Sequence, residues 1–306
     1  MRKRLLSLLL VLACVLTLAV VPVVAAEPDP VQPTTPLTGQ TPTTDPEPSP
    51  EPSSEPAPEP TSAPSPEPSP VPTPSGPWYQ AALDFACNHR ILLGDPSGNM
   101  MPNDNATRAQ MAAMLVRVFG CTAGKDIAHF TDVSTTAWYY SELSTAAQMN
   151  IFNGYGGDGT MGPNRSITRQ EAMVVIARAF AVPDGTAADI QAFRDASSVG
   201  SWAVAKVGGL VKAGIVNGDN GSLYPTASIT RAEIAQMLYN LGLQFCSDAA
   251  ALPAPGRVIY TGAAPLTADA FTGTLYLGGP AGRDLGGMNI TGTLVVRTDP
   301  NGTVTV

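Results

Sequence analysis

The chain has 306 residues, a formal net charge of −8, and 30 prolines and 29 glycines against only two histidines. That balance excludes a basic nucleic-acid surface, which would need clustered Lys and Arg. His89 and His129 sit in neither a metal-ligand nor a triad-like spacing, which leaves little for metal or acid–base catalysis.

In chain order, Met1-Arg2-Lys3-Arg4 is a basic start, residues 5–21 are an apolar run, and Val24-Ala25-Ala26 supplies small residues for cleavage. Residues 1–26 therefore read as a secretory signal peptide. An uncleaved anchor is the second reading, since the run approaches spanning length. Cys14 sits in the middle of that run, which argues against a lipoprotein box. No later stretch is apolar enough to form a transmembrane segment after cleavage.

Residues 27–76 are dominated by Pro, Glu, Ser and Thr and carry eight acidic side chains, from Glu27 to Glu67, with no Lys, Arg or His. Such a segment cannot bury enough apolar surface to offset its ordering entropy, and reads as a disordered, polyproline-II-like linker. At ~3.1 Å per residue it could reach on the order of 150 Å. Most of the chain's net negative charge belongs to it, because residues 77–306 hold 17 acidic side chains nearly balanced by 14 basic ones.

From residue 77 to 244 the chain repeats itself three times, over 77–120, 128–180 and 191–244. Each unit opens with a tryptophan, Trp78, Trp138 or Trp202, expected on a first helix, and a glycine follows sixteen residues later, Gly94, Gly154 or Gly218. That glycine is expected to end the helix at its C′ position. A Gly- and Asp-rich loop then leads to Pro102, Pro163 or Pro225, and five residues on stand Thr107-Arg108-Ala109-Gln110, Thr168-Arg169-Gln170-Glu171 and Thr230-Arg231-Ala232-Glu233. The threonine is a helix N-cap, and the Gln110, Glu171 or Glu233 three residues later closes a capping box. Ile167 and Ile229 can staple onto Ala172 and Ile234. Apolar residues follow at helical spacing, so three equivalent second helices are expected to pack together.

Arginine is the odd member of the motif, because a cation in the first turn opposes the helix dipole. Two readings stand. A guanidinium beside orphan helix N–H groups suits capture of a carboxylate or phosphate. Alternatively, each arginine forms an internal ion pair with a nearby aspartate.

Units two and three carry a lead-in, Phe130-Thr131-Asp132-Val133 and Phe193-Arg194-Asp195-Ala196. With the tryptophan, the glycine, the proline and the Thr-Arg-x-Glu, this pattern resembles the S-layer homology (SLH) domain, in three tandem copies. The resemblance implies a mainly α, pseudo-threefold helical spindle, preceded by the disordered linker and followed by a small β-rich tail. It implies a non-enzymatic anchor that needs no cofactor and no metal. The grooves would bind secondary cell-wall polysaccharide, often bearing a pyruvate ketal, at the surface of a bacterium. Arg108, Arg169 and Arg231 would hold the carboxylate, Trp78, Trp138 and Trp202 would pack on sugar or on a neighbouring prong, and the backbone at Gly94, Gly154 and Gly218 would lie close to the glycan. Asp132 and Asp195 are expected to be structural, as N-caps or arginine partners. Two departures matter: unit one lacks the Phe-x-Asp lead-in, and Gln110 replaces the family's Glu, which is expected to remove the charge beside Arg108 and to weaken the first groove or change its selectivity.

Cys87, Cys121 and Cys246 match no disulfide framework or zinc pattern and are expected to be small buried hydrophobes. Residues 246–306 turn to Gly, Thr, Ala and Val. Thr272-Gly273-Thr274-Leu275 recurs as Thr291-Gly292-Thr293-Leu294, nineteen residues on. These read as short strands, either rungs of a β-solenoid or a β-appendage that packs on the helices or on another subunit. The functional alternative is a structural or adhesive surface-layer protein whose tail mediates self-association or partner capture. An anchored enzyme ranks last, because no remaining segment has the length of an ordinary catalytic domain.

Overall fold

The computed structural model describes residues 76–154, 159–248, 250, 252–253, 255–279, 283–285, 287–297 and 304–305. The signal-peptide and linker expectations fall on residues outside this set. Among the described residues are six α-helices: α1 Gln80–Asn88, α2 Arg108–Phe119, α3 Tyr140–Gln148, α4 Arg169–Ala179, α5 Val204–Lys212 and α6 Arg231–Asn240. The strands follow: β1 Leu243–Cys246, β2 Gly256–Tyr260, β3 Ala270–Leu277, β4 Arg283–Asp284, β5 Asn289–Val296 and β6 Val304–Thr305.

The second helices start where the threonines place them. Thr107, Thr168 and Thr230 are extended N-caps, and each closes a complete capping box with Gln110, Glu171 or Glu233. The residues just before the caps are fully buried and tied in a closed ring. Ala106 N–H donates to Ile229 O at 2.9 Å, Ile229 N–H to Ile167 O at 3.0 Å, and Ile167 N–H to Ala106 O at 3.0 Å. The same ring satisfies the helix starts, because Arg108, Arg169 and Arg231 donate their backbone N–H to Arg165, Ala227 and Asp104 O at 2.9–3.0 Å. Each repeat thus completes the helix cap of another.

The first helices end differently from expectation. They stop six residues before Gly94, Gly154 and Gly218, and the left-handed residue of each C-terminus is Arg90, Asn150 or Gly214, with φ of 56°, 59° and 68°. Each end is a Schellman motif, in which Ile91, Ile151 or Ile215 donates back to Ala86, Ala146 or Leu210 and buries its side chain. The helices pair across repeat boundaries, α2 with α3, α4 with α5, and α6 with α1. The second helices meet through a shared hydrophobic core rather than in direct backbone-close pairs.

The tail is a stack of parallel strands, in the order β1-β2-β3-β5, with β4 and β6 paired parallel in a second, two-stranded sheet. Of the alternatives, both solenoid-like stacking and packing on the helices hold. Both faces of the C-terminal halves of β2 and β3 are buried, as parallel strands usually are, whereas Ala270 and Thr272 at the start of β3 are exposed. Ile259, Tyr276 and Val295 join the helical core, whereas Val258, Tyr260, Leu275 and Leu277 form a second cluster with Leu266 and Leu285. Gly256, Gly273 and Gly292 align across the rungs, and a Cβ at Gly273 would lie 2.2 Å from Gly256 O. The TGTL echo in the sequence marks a ladder that only glycine permits.

The sheet also covers the C-terminal ends of all three second helices. Gly279 N–H donates to Phe119 O at 2.6 Å at the end of α2. Arg297 donates to Arg178 O at 2.7 Å and Ala179 O at 3.1 Å on α4, and the Tyr276 hydroxyl to Phe180 O at 3.0 Å. Arg257 donates to Leu241 O at 2.9 Å beyond α6. Carbonyls left over at helix ends thereby find partners, and cations meet the negative pole of the dipole.

Candidate functional site

The three motif arginines are buried, with 6, 8 and 5 % of Arg108, Arg169 and Arg231 exposed. In each case Nε donates to a carbonyl two residues before the loop proline: Met161 O for Arg108, Leu223 O for Arg169 and Met100 O for Arg231, at 2.8–2.9 Å. The acceptor always belongs to another repeat. The remaining partners differ. Arg169 Nη1 pairs with Glu233 at 2.6 Å, and Arg108 Nη1 lies 3.8 Å from Glu171 with its guanidinium over the Phe152 ring. Arg231 instead donates Nη2 to Leu93 O at 2.7 Å.

These contacts revise three expectations. The ion-pair alternative holds for two arginines, with glutamate in place of aspartate. The helix starts offer no open donors, since the first two N–H groups of each go to loop carbonyls and the third goes to the threonine hydroxyl. Anion capture must therefore rely on the guanidinium. And the charge removed by Gln110 is not the one beside Arg108, which keeps Glu171. The interleaving of repeats sets Gln110 in the groove of Arg231. Burial draws the Arg231 guanidinium below its ordinary value, with Asp104 acting against that and Arg117 adding to it.

Asp132 and Asp195 have a clear structural role. The Asp132 carboxylate accepts from Met161 and Gly162 N–H at 2.7–2.8 Å, and Asp195 from Leu223 and Tyr224 N–H at the same distances. Asp195 stands at the N-cap position of the one-turn 3-10 helix Ala196–Ser198 but makes no side-chain cap there, and neither aspartate pairs with an arginine among the described residues. Instead they clamp the loop whose next carbonyl receives Arg108 or Arg169. The phenylalanines of the same lead-ins close on the loop glycines: a Cβ on Gly154 would lie 2.5 Å from Phe130, and one on Gly218 2.6 Å from Phe193. Both glycines have φ near +70°. Gly94, without such a phenylalanine, faces the backbone of Asn99.

The tryptophans lie in the turn two residues ahead of their helices and are exposed by 65, 58 and 56 %. A large aromatic displayed to water beside a groove is the mark of a contact surface rather than a core. Two grooves are defined. In the first, of about 330 Å3, Trp138 faces Gly94, Asp95, Gln110, Arg117 and Arg231. In the second, of about 700 Å3, Trp78 faces Gly218, Asp219, Glu233, Asn240 and Arg169. Each groove takes its loop and helix wall from one repeat, its tryptophan from the next and its arginine from the remaining one. The same register would set Trp202 and Arg108 beside Gly154, adjoining residues 155–158, which lie outside the described set. Arg117 is the wall residue that sequence reasoning passed over. Its signal was the register itself, nine residues after Arg108, where α6 has Asn240.

Cys87, Cys121 and Cys246 form no disulfide; only Cys121 is fully buried, and the other two are half-buried. Among the described residues no cluster of His, Cys, Asp and Glu could hold a metal ion, and no helix is long and apolar enough to cross a membrane.

A repeat whose copies complete one another's caps and grooves defines an interleaved tandem module. The S-layer homology domain family matches residues 73–112, 129–173 and 192–235, so the chain carries three tandem S-layer homology domains. Among similar proteins, the surface-layer 125 kDa protein of Lysinibacillus sphaericus is 33 % identical over 47 % of this chain and 12 % of its own length. The cellulosome-anchoring protein of Acetivibrio thermocellus is 31 % identical over 48 % of this chain and 34 % of its own. The amylopullulanase of Thermoanaerobacterium thermosulfurigenes is 29 % identical over 54 % of this chain and 9 % of its own. The chain thus spans about a third or less of the length of these relatives. The domains and the surface-layer relatives indicate a secreted protein associated with the cell surface and the wall.

Proposed function

We propose that the chain anchors itself non-covalently to the bacterial wall by holding secondary cell-wall polysaccharide in the grooves between its repeats. The carrying observation is one arrangement found in both described grooves: an exposed tryptophan, a glycine loop and a buried arginine from three different repeats. Trp138 and Trp78 offer apolar faces to the C–H surface of a sugar ring, while the arginine and the backbone fix its polar edge. The closed ring of residues 106, 167 and 229 favours a pseudo-threefold spindle as the frame. An anionic glycan, such as one bearing a pyruvate ketal, suits a guanidinium within reach of the groove. The repeats occupy residues 77–120, 128–180 and 191–244, and the tail supports them. In the alternative, the tail mediates surface-layer assembly.

The full chain should sediment with wall sacculi and stay soluble once their polysaccharide has been stripped. Arg231→Ala should weaken sedimentation about ten-fold or more, the loss of a charge-assisted hydrogen bond. Asp132→Ala, with circular dichroism matching the parent, should leave it nearly intact. Undiminished binding to stripped sacculi would overturn the proposal.

A further inference from the structure

The two grooves follow one plan, so their linings can be compared position by position. Gly94 corresponds to Gly218, Asp95 to Asp219 and Trp138 to Trp78. Among the charge-bearing positions, two break the match. Gln110 stands where the other groove has Glu233, and Arg117 stands where it has Asn240. Both differences act in the same direction. The Trp138 groove sets two guanidiniums, Arg117 and Arg231, against one carboxylate, Asp95. The Trp78 groove sets one guanidinium, Arg169, against two carboxylates, Asp219 and Glu233.

The way these charges are engaged widens the difference. Glu233 already occupies Arg169 Nη1 at 2.6 Å while its other oxygen closes the α6 capping box. A ligand carboxylate entering there would have to displace a structural partner and meet Asp219. In the Trp138 groove, Arg231 and Arg117 have no carboxylate within ion-pair distance among the described residues. Arg231 donates to Met100 O and Leu93 O, and Arg117 to Ile91 O at 3.4 Å. Asp104 and, from α3, Glu142 influence them only through space. Asp95 is engaged within its own loop, accepting from Ser97 N–H, Asn99 N–H and the Asn99 amide. Gln110 keeps the cap that a glutamate would make, since its Oε1 accepts from Thr107 N–H at 3.0 Å. The helix therefore keeps its start while the groove sheds a negative charge.

We propose that the two grooves divide the labour on one polymer. The Trp138 groove, with Arg117 acting beside Arg231, takes the carboxylate-bearing sugar, and the Trp78 groove takes an uncharged sugar. This rests on the assignment of the grooves as glycan sites. A half-buried carboxylate needs paired donors, and the guanidiniums of Arg117 and Arg231, which line the same groove from two helices, supply them, whereas the internally neutralised Arg169 does not.

The chain has three tryptophans, and each described groove holds one of them, Trp138 or Trp78, so their indole N–H resonances in the full-length 15N-labelled protein report occupancy groove by groove. Trp→Phe variants assign the signals. Two probes are titrated: a methyl hexoside carrying a 4,6-linked pyruvate ketal, and the methyl ester of the same compound. In the wild type the acid should move Trp138 at a concentration about ten-fold lower than the ester does. Trp78 should respond at least as well to the ester. Gln110→Glu with Arg117→Asn should remove the acid preference at Trp138, and Glu233→Gln with Asn240→Arg should create one at Trp78. If the acid and ester move Trp138 at equal concentrations, the charge division is wrong while the grooves remain sugar sites. If no indole responds to either probe or to isolated wall polysaccharide, the glycan assignment itself fails and takes the division with it.

Discussion

The two ends of the second helices solve opposite electrostatic problems by different means. At the N-terminal ends, arginines stand where the dipole disfavours them, and they are held by carbonyls and glutamates from other repeats. At the C-terminal ends, Arg257 and Arg297 arrive from the sheet to a pole that welcomes cations. The first end holds buried charges at the edge of a groove against the dipole, and the second adds favourable contacts to it. A grooved face thus sits opposite a reinforced one, and the difference can be tested from both sides.

The largest effect should come from removing the sheet. Deleting residues 247–306 strips Ile259, Tyr276 and Val295 from the helical core and uncovers the helix-end carbonyls. A loss of roughly 5 kcal/mol or more is expected, or no cooperative transition at all, in thermal or urea unfolding followed by circular dichroism. A truncated chain that melts like the parent would show that the sheet is an ornament. At the other end, Arg169→Ala leaves Glu233 without its cation in a partly buried site and should cost about 2–3 kcal/mol. Arg231→Ala strands no carboxylate and should cost about 1 kcal/mol by urea denaturation, so its binding defect is separable from unfolding. Equal losses for the two would mean that Glu233 gains nothing from Arg169.

The smallest effect concerns one hydroxyl. Tyr276→Phe leaves Phe180 O without its donor and should cost about 1 kcal/mol. Burial pushes the Tyr276 phenol up to about 12, against the opposing pull of Arg257 and Arg297. Because the folded value lies above the unfolded one near 10, this contribution is complete below pH ~10 and is lost as the pH rises toward 12. Stability followed between pH 9 and 12 should fall more steeply in the parent than in the Tyr276→Phe variant.

The local chemistry of the repeats was legible because capping is written in adjacent residues: Thr107, Thr168 and Thr230 each start a helix one residue later. What adjacent residues cannot reveal is which repeat completes which. Gln110 was assigned to Arg108, two positions away in sequence, and it lies in the groove of Arg231, 121 residues on. The helix ends are hidden from the sequence for a similar reason. Gly214 marks a left-handed cap, but Arg90 takes the same conformation with no compositional sign, because the buried isoleucine after it enforces the motif. In the tail, β3 and β5 share a legible text, whereas β2 retains only Gly256 of it and β1 none, so half of the stack was hidden.

Interleaving has a consequence for how such a module can be inherited. Because a loop, an indole and a guanidinium of each groove come from three separate copies, neither one repeat nor two could build such a groove. Copy number is then an all-or-nothing property: a gene that lost a single unit would forfeit both grooves at once, and a change in one copy, as at Gln110, acts on a pocket that another copy's arginine completes.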